Sequence, residues 1–396
     1  MRRSVVTAVA GLAALAVTAT GCSGKSADGK PEIQVGLISP MSGPFAVLGI
    51  SQQNSLNVQI EKINATGGID GAKLKLIVRD SALDPGKAVQ AANELAGNDA
   101  VKLVIGPSLT AFYDAAKGTY EKNKKLNCQP AVSTGSFAEL KYGFRSQDPF
   151  LLDAEKVVGW LKQEGVKSLG LVYEADDTGK NTDAALKEML PKAGIKYLGY
   201  QTNRADDQSH RAYVEKFKNA GAIMVSSSAG GSKTMAAAAE IGFKGKLVGG
   251  GSGMQNISFV EAAGDAADGA VFPAPLYQYP ERIDRAQWKP GYLEHIKAIE
   301  AKYGKNVGPK TGATSPKGAA ITADCLFAFE QAVKAVKSTD AEKVAPAIEA
   351  LDLTAEQTPS GNAVKPGKTH EFYNEVHLYQ WSKDAKGWFT KEISSS

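Results

Sequence analysis

The sequence predicts an α/β protein of two lobes, each a parallel sheet covered by helices. Three observations carry that reading. The chain has 396 residues, too long for one ordinary hydrophobic core and suited to two. Strand and helix patterns alternate along it in two successive runs, as parallel βαβ units require. The runs break near 144–149, and a Tyr- and Pro-rich stretch, Phe272–Pro280, closes the second.

The first run opens with a strand at Ile33–Ile38, then apolar residues at helical spacing over Ile50–Ala65. Thr66-Gly67-Gly68-Ile69-Asp70-Gly71 ends that helix and turns the chain. Leu74, Leu76 and Val78 alternate in a strand over Lys73–Asp80. Pro85 opens a helix reaching Gly97, at a position where its missing N–H is not needed. A buried strand at Val101–Ile105, a helix over Thr110–Lys124 and a strand at Asn127–Ser133 complete the run. The second run reads as helix Phe150–Glu164, strand Ser168–Tyr173, helix Thr178–Ala193 and strand Ile195–Gln201. It continues with helix Ser209–Ala220, strand Ala222–Ser226, helix Ser232–Ile241 and strand Lys246–Gly249. Helices at Trp288–Tyr303 and Ala320–Lys337 follow, with a loop holding Gly and Pro between them. In open parallel sheets ligands gather outside the C-terminal ends of the strands, so the site is expected there.

Composition narrows the function. With 43% hydrophobic and 22% charged residues the balance is globular, which excludes a disordered, collagen-like or coiled-coil chain. A net charge of +4 gives no dominant basic surface for nucleic acid. Three cysteines exclude a four-cysteine zinc site, and four scattered histidines argue against a His-built one. Gly230-Gly231-Ser232-Lys233-Thr234 lacks the order of a phosphate-binding P-loop, and Gly250–Met254 fails as a nucleophile elbow. Gly249–Gly253 is read as a plain turn rather than a phosphate loop, and His370 and His377 as surface or packing residues. Cys128 and Cys325 are either a disulfide or two buried thiols.

Met1-Arg2-Arg3 is a short basic start, and Val5–Ala19 is apolar without a charge. About 15 such residues are too few for a membrane span of about 20 and suit a signal-peptide core. Ala19-Thr20-Gly21-Cys22 resembles the bacterial lipobox, which implies cleavage before Cys22 and lipid attachment to its thiol. Ser23–Lys30 supplies a flexible polar tether. The expectation is a signal peptide over 1–21, a tether over 22–30, and an exported lipoprotein anchored through Cys22 at the outer face of the cytoplasmic membrane or in the periplasm.

Four stretches then follow in a telling order: Ile38-Ser39-Pro40-Met41-Ser42-Gly43-Pro44-Phe45, Ile63–Gly71, Asp80–Pro85 and Val104–Ser108. Together they resemble the type I periplasmic binding proteins of the leucine/isoleucine/valine-binding kind, which feed ABC importers, over residues 31–390. The resemblance implies two Rossmann-like lobes joined by three hinge crossovers near Ser146, Phe272 and Tyr373. Lobe I is then 31–146 with 273–373, and lobe II is 147–272 with 374–396. It also implies a binding protein without catalysis or cofactor. Its partners are a small-molecule solute, an ABC permease and the permease's ATPase.

The same resemblance places a ligand carboxylate at Ser108 and Thr110, with Ala131, Ser133 and Thr134 beside them. A helix N-terminus there supports this, because its unpaired N–H groups and partial positive charge attract an anion. The Thr110 hydroxyl would serve equally as the helix N-cap. Branched-chain binders of the family line the pocket with aromatics and hold the ligand ammonium with an acid on lobe II. The matching positions here are Leu48, Thr178 and Ser227, with Gly251 in place of the acid. A buried ammonium without a carboxylate costs on the order of several kcal/mol, so an α-amino acid needs Glu174, Asp176 or Asp177 in that role. Otherwise the expected ligand is an aromatic or alicyclic carboxylate without an amine. Met41, Phe45, Leu48, Met254 and Tyr277 are candidates for its apolar wall and equally for plain core. The family's first-lobe disulfide positions read Leu83 and Leu109. A branched-chain amino acid receptor and a ligand-sensing subunit of a signalling system are the alternatives.

Overall fold

β1 (Glu32–Ser39) is buried on both faces along its second half, as a central strand of a parallel sheet must be. The computed structural model describes residues 31–43, 46–131, 135–147, 149–204, 206–226, 229–250, 254, 257–274, 285–304 and 316–393. The expected signal peptide, Cys22 and tether lie outside them. β1 pairs in parallel with β2 (Lys73–Asp80) and β3 (Val101–Ile105), and β4 (Leu126–Gln129) and β5 (Gly143–Arg145) extend the sheet in the order β2-β1-β3-β4-β5. β4 stops at Gln129, short of the expected Ser133, because Pro130 has no N–H with which to continue the ladder.

Local chemistry sets the helices of this lobe. α1 (Ala46–Ala65) closes through the Gly68 N–H, which donates to Ile63 O at 2.9 Å. Both side-chain amide atoms of Asn64 then bond the Leu74 backbone at 2.8 Å, fastening the helix end to β2. α2 (Pro85–Gly97) is capped by Asp84, whose carboxylate accepts from Lys87 N at 2.8 Å. α2 and α3 (Thr110–Lys122) cover one face of the sheet with Ala92, Leu95, Tyr113 and Tyr120.

The second sheet holds β6 (Ser168–Glu174), β7 (Lys196–Asn203), β8 (Ala222–Val225), β9 (Lys246–Gly249), β10 (Val271–Ala274), β11 (His377–Asp384) and β12 (Gly387–Ile393). Their order is β12-β11-β10-β9-β8-β6-β7. Five strands are parallel, but β11 and β12 join antiparallel, so this sheet is not purely parallel as expected. The departure is a C-terminal hairpin turned by Gly387, whose φ of +106° suits glycine. α4 (Phe150–Gln163) and α5 (Asp177–Lys192) cover one face with Val157, Leu161, Leu186 and Leu190. α6 (Arg211–Glu215), α7 (Ala229–Glu240) and α8 (Ile257–Ala263) cover the other with Val214, Met235, Ala238 and Val260. The helix expected over Ser209–Ala220 is shorter, because Phe217 and Ala220 bond three residues back and tighten into turns. β10 spans the expected lobe boundary at Phe272 and Pro273, so the chain leaves this sheet only after Ala274.

The chain then returns to the first sheet. α9 (Pro290–Tyr303) packs Tyr292 and Ile296 on Val58 of α1. α10 (Pro316–Val336) and α11 (Ala341–Glu349) join α1 over the sheet's remaining face, burying Leu326, Phe329, Val344 and Ile348. Cys128 of β4 and Cys325 of α10 form a disulfide, with Cα atoms 5.8 Å apart across 197 residues of sequence. At the sheet edge Arg145 N donates to His370 O at 2.9 Å and Phe372 N to Arg145 O at 2.8 Å, so two distant segments run side by side. His370 is buried there, with Nδ1 2.9 Å from Gly143 O and its ring stacked on Phe144. No helix among the described residues is long and apolar enough to cross a membrane.

Candidate functional site

Strand order reverses between β1 and β3 in the first sheet and between β6 and β8 in the second. These are the topological switch points, where the C-terminal ends of the strands leave a crevice.

In lobe I the described residues where β1 and β3 end, Ser39 and Ser108 with Gln52 against them, are uncharged. Gly106 has φ +98°, and a Cβ there would lie 2.3 Å from Ile38 O, so only glycine lets β3 end against β1. That approach sets Ser108 beside Ser39. Both hydroxyls donate to Gln52 Oε1, Ser39 at 2.6 Å and Ser108 at 2.7 Å, and all three residues are buried. Helix α3 begins immediately after, at Thr110. Its N-cap is Leu109, an apolar residue whose side chain makes no hydrogen bond to the backbone donors of the first turn. Thr110 is therefore half-buried as the first helical residue and not the cap. Ala131 is half-buried just beyond β4, and Gln129 at the strand end is wholly buried with neither amide atom paired among the described residues.

Met41 and Leu48 are half-buried where β1 turns into α1. The Asp80 carboxylate fastens this turn, accepting from Met41 N at 2.8 Å and Ser42 Oγ at 2.7 Å. The Ser42 bond, helped by backbone donors, holds Asp80 below the usual carboxylate range.

In lobe II the crevice carries acid. Glu174 ends β6, and its Oε1 accepts the Ser226 hydroxyl at 3.0 Å. A Cβ on Gly230 would lie 2.3 Å from that oxygen, so glycine in the first turn of α7 lets the carboxylate rest against the helix terminus, where negative charge is favoured. Asn203 is wholly buried beside it, with Nδ2 3.3 Å from Thr234 Oγ1 and Oδ1 unpaired among the described residues. Asp176 caps α5 by accepting from Gly179 N at 2.8 Å, and Thr178 is half-buried in that first turn. Both helix N-termini beside β6 are thus met by the chain's own acids, whereas the first turn of α3 holds none.

Ser108, Thr110 and Ala131 come together at the strand ends of lobe I, and Thr178 and Glu174 at those of lobe II. Phe45, Ser133, Thr134, Ser227, Gly251 and Tyr277 lie outside the described residues. Met254 does not line a crevice. It is wholly buried in the lobe II core, and its carbonyl accepts the Trp381 indole N–H at 2.9 Å. Gly230–Thr234 open helix α7 after a strand, and His377 pairs with Glu392 at 2.7 Å on the hairpin. Sequence reasoning missed Ser39, Gln52, Gln129, Asn203 and Ser226. One signal was available: Gln52, Ser55 and Gln59 repeat at i, i+3 and i+7 on the buried face of α1, where apolar residues belong.

Two α/β lobes with crevices at their strand ends define a two-lobed solute receptor. The chain belongs to the periplasmic binding protein family, whose model matches residues 32–386. A Pseudomonas aeruginosa protein that binds leucine, isoleucine, valine, threonine and alanine is 27% identical over 383 residues, covering 94% of this chain and 95% of its own. A Rhodopseudomonas palustris solute binding protein of an ABC transporter, solved with 4-hydroxybenzoate, superposes with TM-score 0.76 at 18% identity, covering 92% and 96%. A Streptococcus pneumoniae branched-chain amino acid transporter substrate binding protein, solved with isoleucine, gives TM-score 0.73 at 18% identity, covering 91% and 99%. The fold is that of the type I periplasmic binding proteins, and the chain is a solute-binding protein of ABC-type transporters related to branched-chain amino acid binders.

Proposed function

We propose that this protein is the extracytoplasmic receptor of an ABC importer, closing on a small organic carboxylate and delivering it to a permease. The observation that carries the ligand class is the N-terminus of α3 at the lobe I switch point, where the cap residue Leu109 offers no side-chain acceptor. Closure is a hinge motion, and ligand shifts it only by preferring the closed form. Glu174 adds a second requirement: a carboxylate across the site accepts from an ammonium or from a hydroxyl. The ligand is therefore a carboxylate with a hydrogen-bond donor at its far end, which both a branched-chain amino acid and a hydroxybenzoate satisfy. Relatives and fold neighbours that bind each of these support the choice.

Thermal shift with L-leucine, L-valine, 4-hydroxybenzoate, benzoate and leucinamide tests the reading. Ligand at 100 times its Kd adds about 2.7 kcal/mol, a rise of a few degrees in Tm. A shift with leucine, valine or 4-hydroxybenzoate is expected. Silence toward all three, or a shift with leucinamide alone, overturns it. Anchoring through Cys22 belongs to the same reading, and Cys22→Ala is expected to abolish incorporation of labelled fatty acid into the protein.

A further inference from the structure

The side-chain amide of Gln52 meets two hydroxyls at once. Ser39 Oγ at 2.6 Å and Ser108 Oγ at 2.7 Å both donate to its Oε1, while its Nε2 is buried without a partner among the described residues. An amide carries two donors and two acceptor sites, so its donor half is unused by the described residues. With their protons turned inward, the two hydroxyls leave Ser108 only lone pairs to offer the crevice. A carboxylate also offers only lone pairs, and the two repel. Turning the amide by about 180° about its last torsion exchanges oxygen and nitrogen at nearly the same positions. Nε2 then donates to both serines, and the freed Ser108 proton can leave Ile38 O, a long 3.4 Å away, and point outward beside the start of α3.

We propose that Gln52 is a positioning residue that sets the polarity of Ser108: the hydroxyl proton points inward in the empty receptor and outward, to the ligand carboxylate, in the loaded one. This inference rests on the carboxylate reading above. It separates glutamine from glutamate at position 52, because a carboxylate there only accepts and locks both serine protons inward. Methionine, of similar length, leaves Ser108 free to turn.

The test has two arms on the purified protein, with L-leucine and 4-hydroxybenzoate as probes. In spectra of glutamine-labelled protein, the Gln52 amide is the pair lost in Gln52→Met. Its protons are expected at the unbonded end of the glutamine range in the empty protein and to move downfield on saturation with the tighter probe. A Gln52 amide already hydrogen-bonded in the empty protein overturns the inference.

In the second arm, calorimetry is expected to show Gln52→Glu binding the probe about 10- to 100-fold more weakly, the usual worth of one hydrogen bond to a charged group. Gln52→Met should lose less. The reverse order points to a packing role and overturns the inference. Because Gln52→Glu also introduces a charge, Ser108→Ala supplies the control. If Gln52 acts through Ser108, adding Gln52→Glu to Ser108→Ala weakens binding no further, whereas additive losses mean plain repulsion and overturn it. Wild-type silence toward L-leucine, L-valine and 4-hydroxybenzoate alike sinks the carboxylate reading and this inference with it. Binding with additive losses sinks this inference alone.

Discussion

The Ser226 hydroxyl donates to Glu174 Oε1 at 3.0 Å, joining the ends of β8 and β6 where the strand order of the second sheet reverses. At the matching point of the first sheet, Ser108 donates to the neutral amide of Gln52 at 2.7 Å. The two crevices are built alike and charged differently. One presents an acid, the other an uncharged cluster beside the start of a helix, and the proposed carboxylate with a donor end would fit between them in one orientation.

Glu174→Gln keeps the shape and removes the charge. It is expected to weaken an ammonium- or hydroxyl-bearing carboxylate about 10- to 100-fold by calorimetry, and to leave benzoate nearly unchanged. An equal loss for every ligand would show that Glu174 serves α7 and not the solute.

The disulfide ties β4 to α10 across 197 residues, and both cysteines are only 2% exposed. Replacing both by alanine is expected to cost about 2–5 kcal/mol in urea unfolding, with the fold retained. Burial shields the bond, so dithiothreitol should reduce it in the wild type only as the protein unfolds. Rapid reduction under native conditions, followed by a labelled gel, would contradict that.

The elements legible in the sequence were those with strong local chemistry. Pro85 announced α2, Gly67-Gly68 ended α1, and the apolar run Val101–Ile105 marked a buried strand. What escaped depended on partners far along the chain. β5 has three residues and exists because β4 and the segment at His370–Phe372 lie beside it. β10 contains Pro273, a residue that argues against a strand on local grounds. The site divided the same way. The start of α3 was readable, whereas the polar face of α1 hinted at Gln52 but its partners, Ser39 and Ser108, come to it from 13 and 56 residues away.

Arg145 and Glu371 form an ion pair between those adjoining segments, with side chains 3% and 12% exposed. The guanidinium also lies 4.9 Å from the centre of the Phe137 ring. Removing one partner strands the other charge away from water. Arg145→Met or Glu371→Leu alone is therefore expected to cost about 3–5 kcal/mol, and the double substitution distinctly less than the sum. Urea titration of the three variants measures the coupling, and simple additivity would show that each residue acts through other contacts.

His295 of α9 is wholly buried, with Nε2 2.8 Å from the Ser55 hydroxyl, and burial pushes its pKa down to about 3, with Lys62 adding to the effect. In the unfolded chain the same imidazole titrates near 6.5. Above that pH both states are neutral there, and the group adds no pH dependence. Below it the unfolded state takes up a proton that the native state refuses, so stability is lost as pH falls from about 6.5 toward 3, by up to about 1.4 kcal/mol per pH unit. Carboxylates contribute their own slope, and His295→Gln separates the two because it keeps a partner for Ser55 and cannot charge. Between about pH 6.5 and 4.5 the wild type is expected to lose about 2 kcal/mol more than the variant, read from urea midpoints at each pH. Parallel curves would mean that native His295 accepts the proton, and that the Ser55 side of α1 opens to admit water.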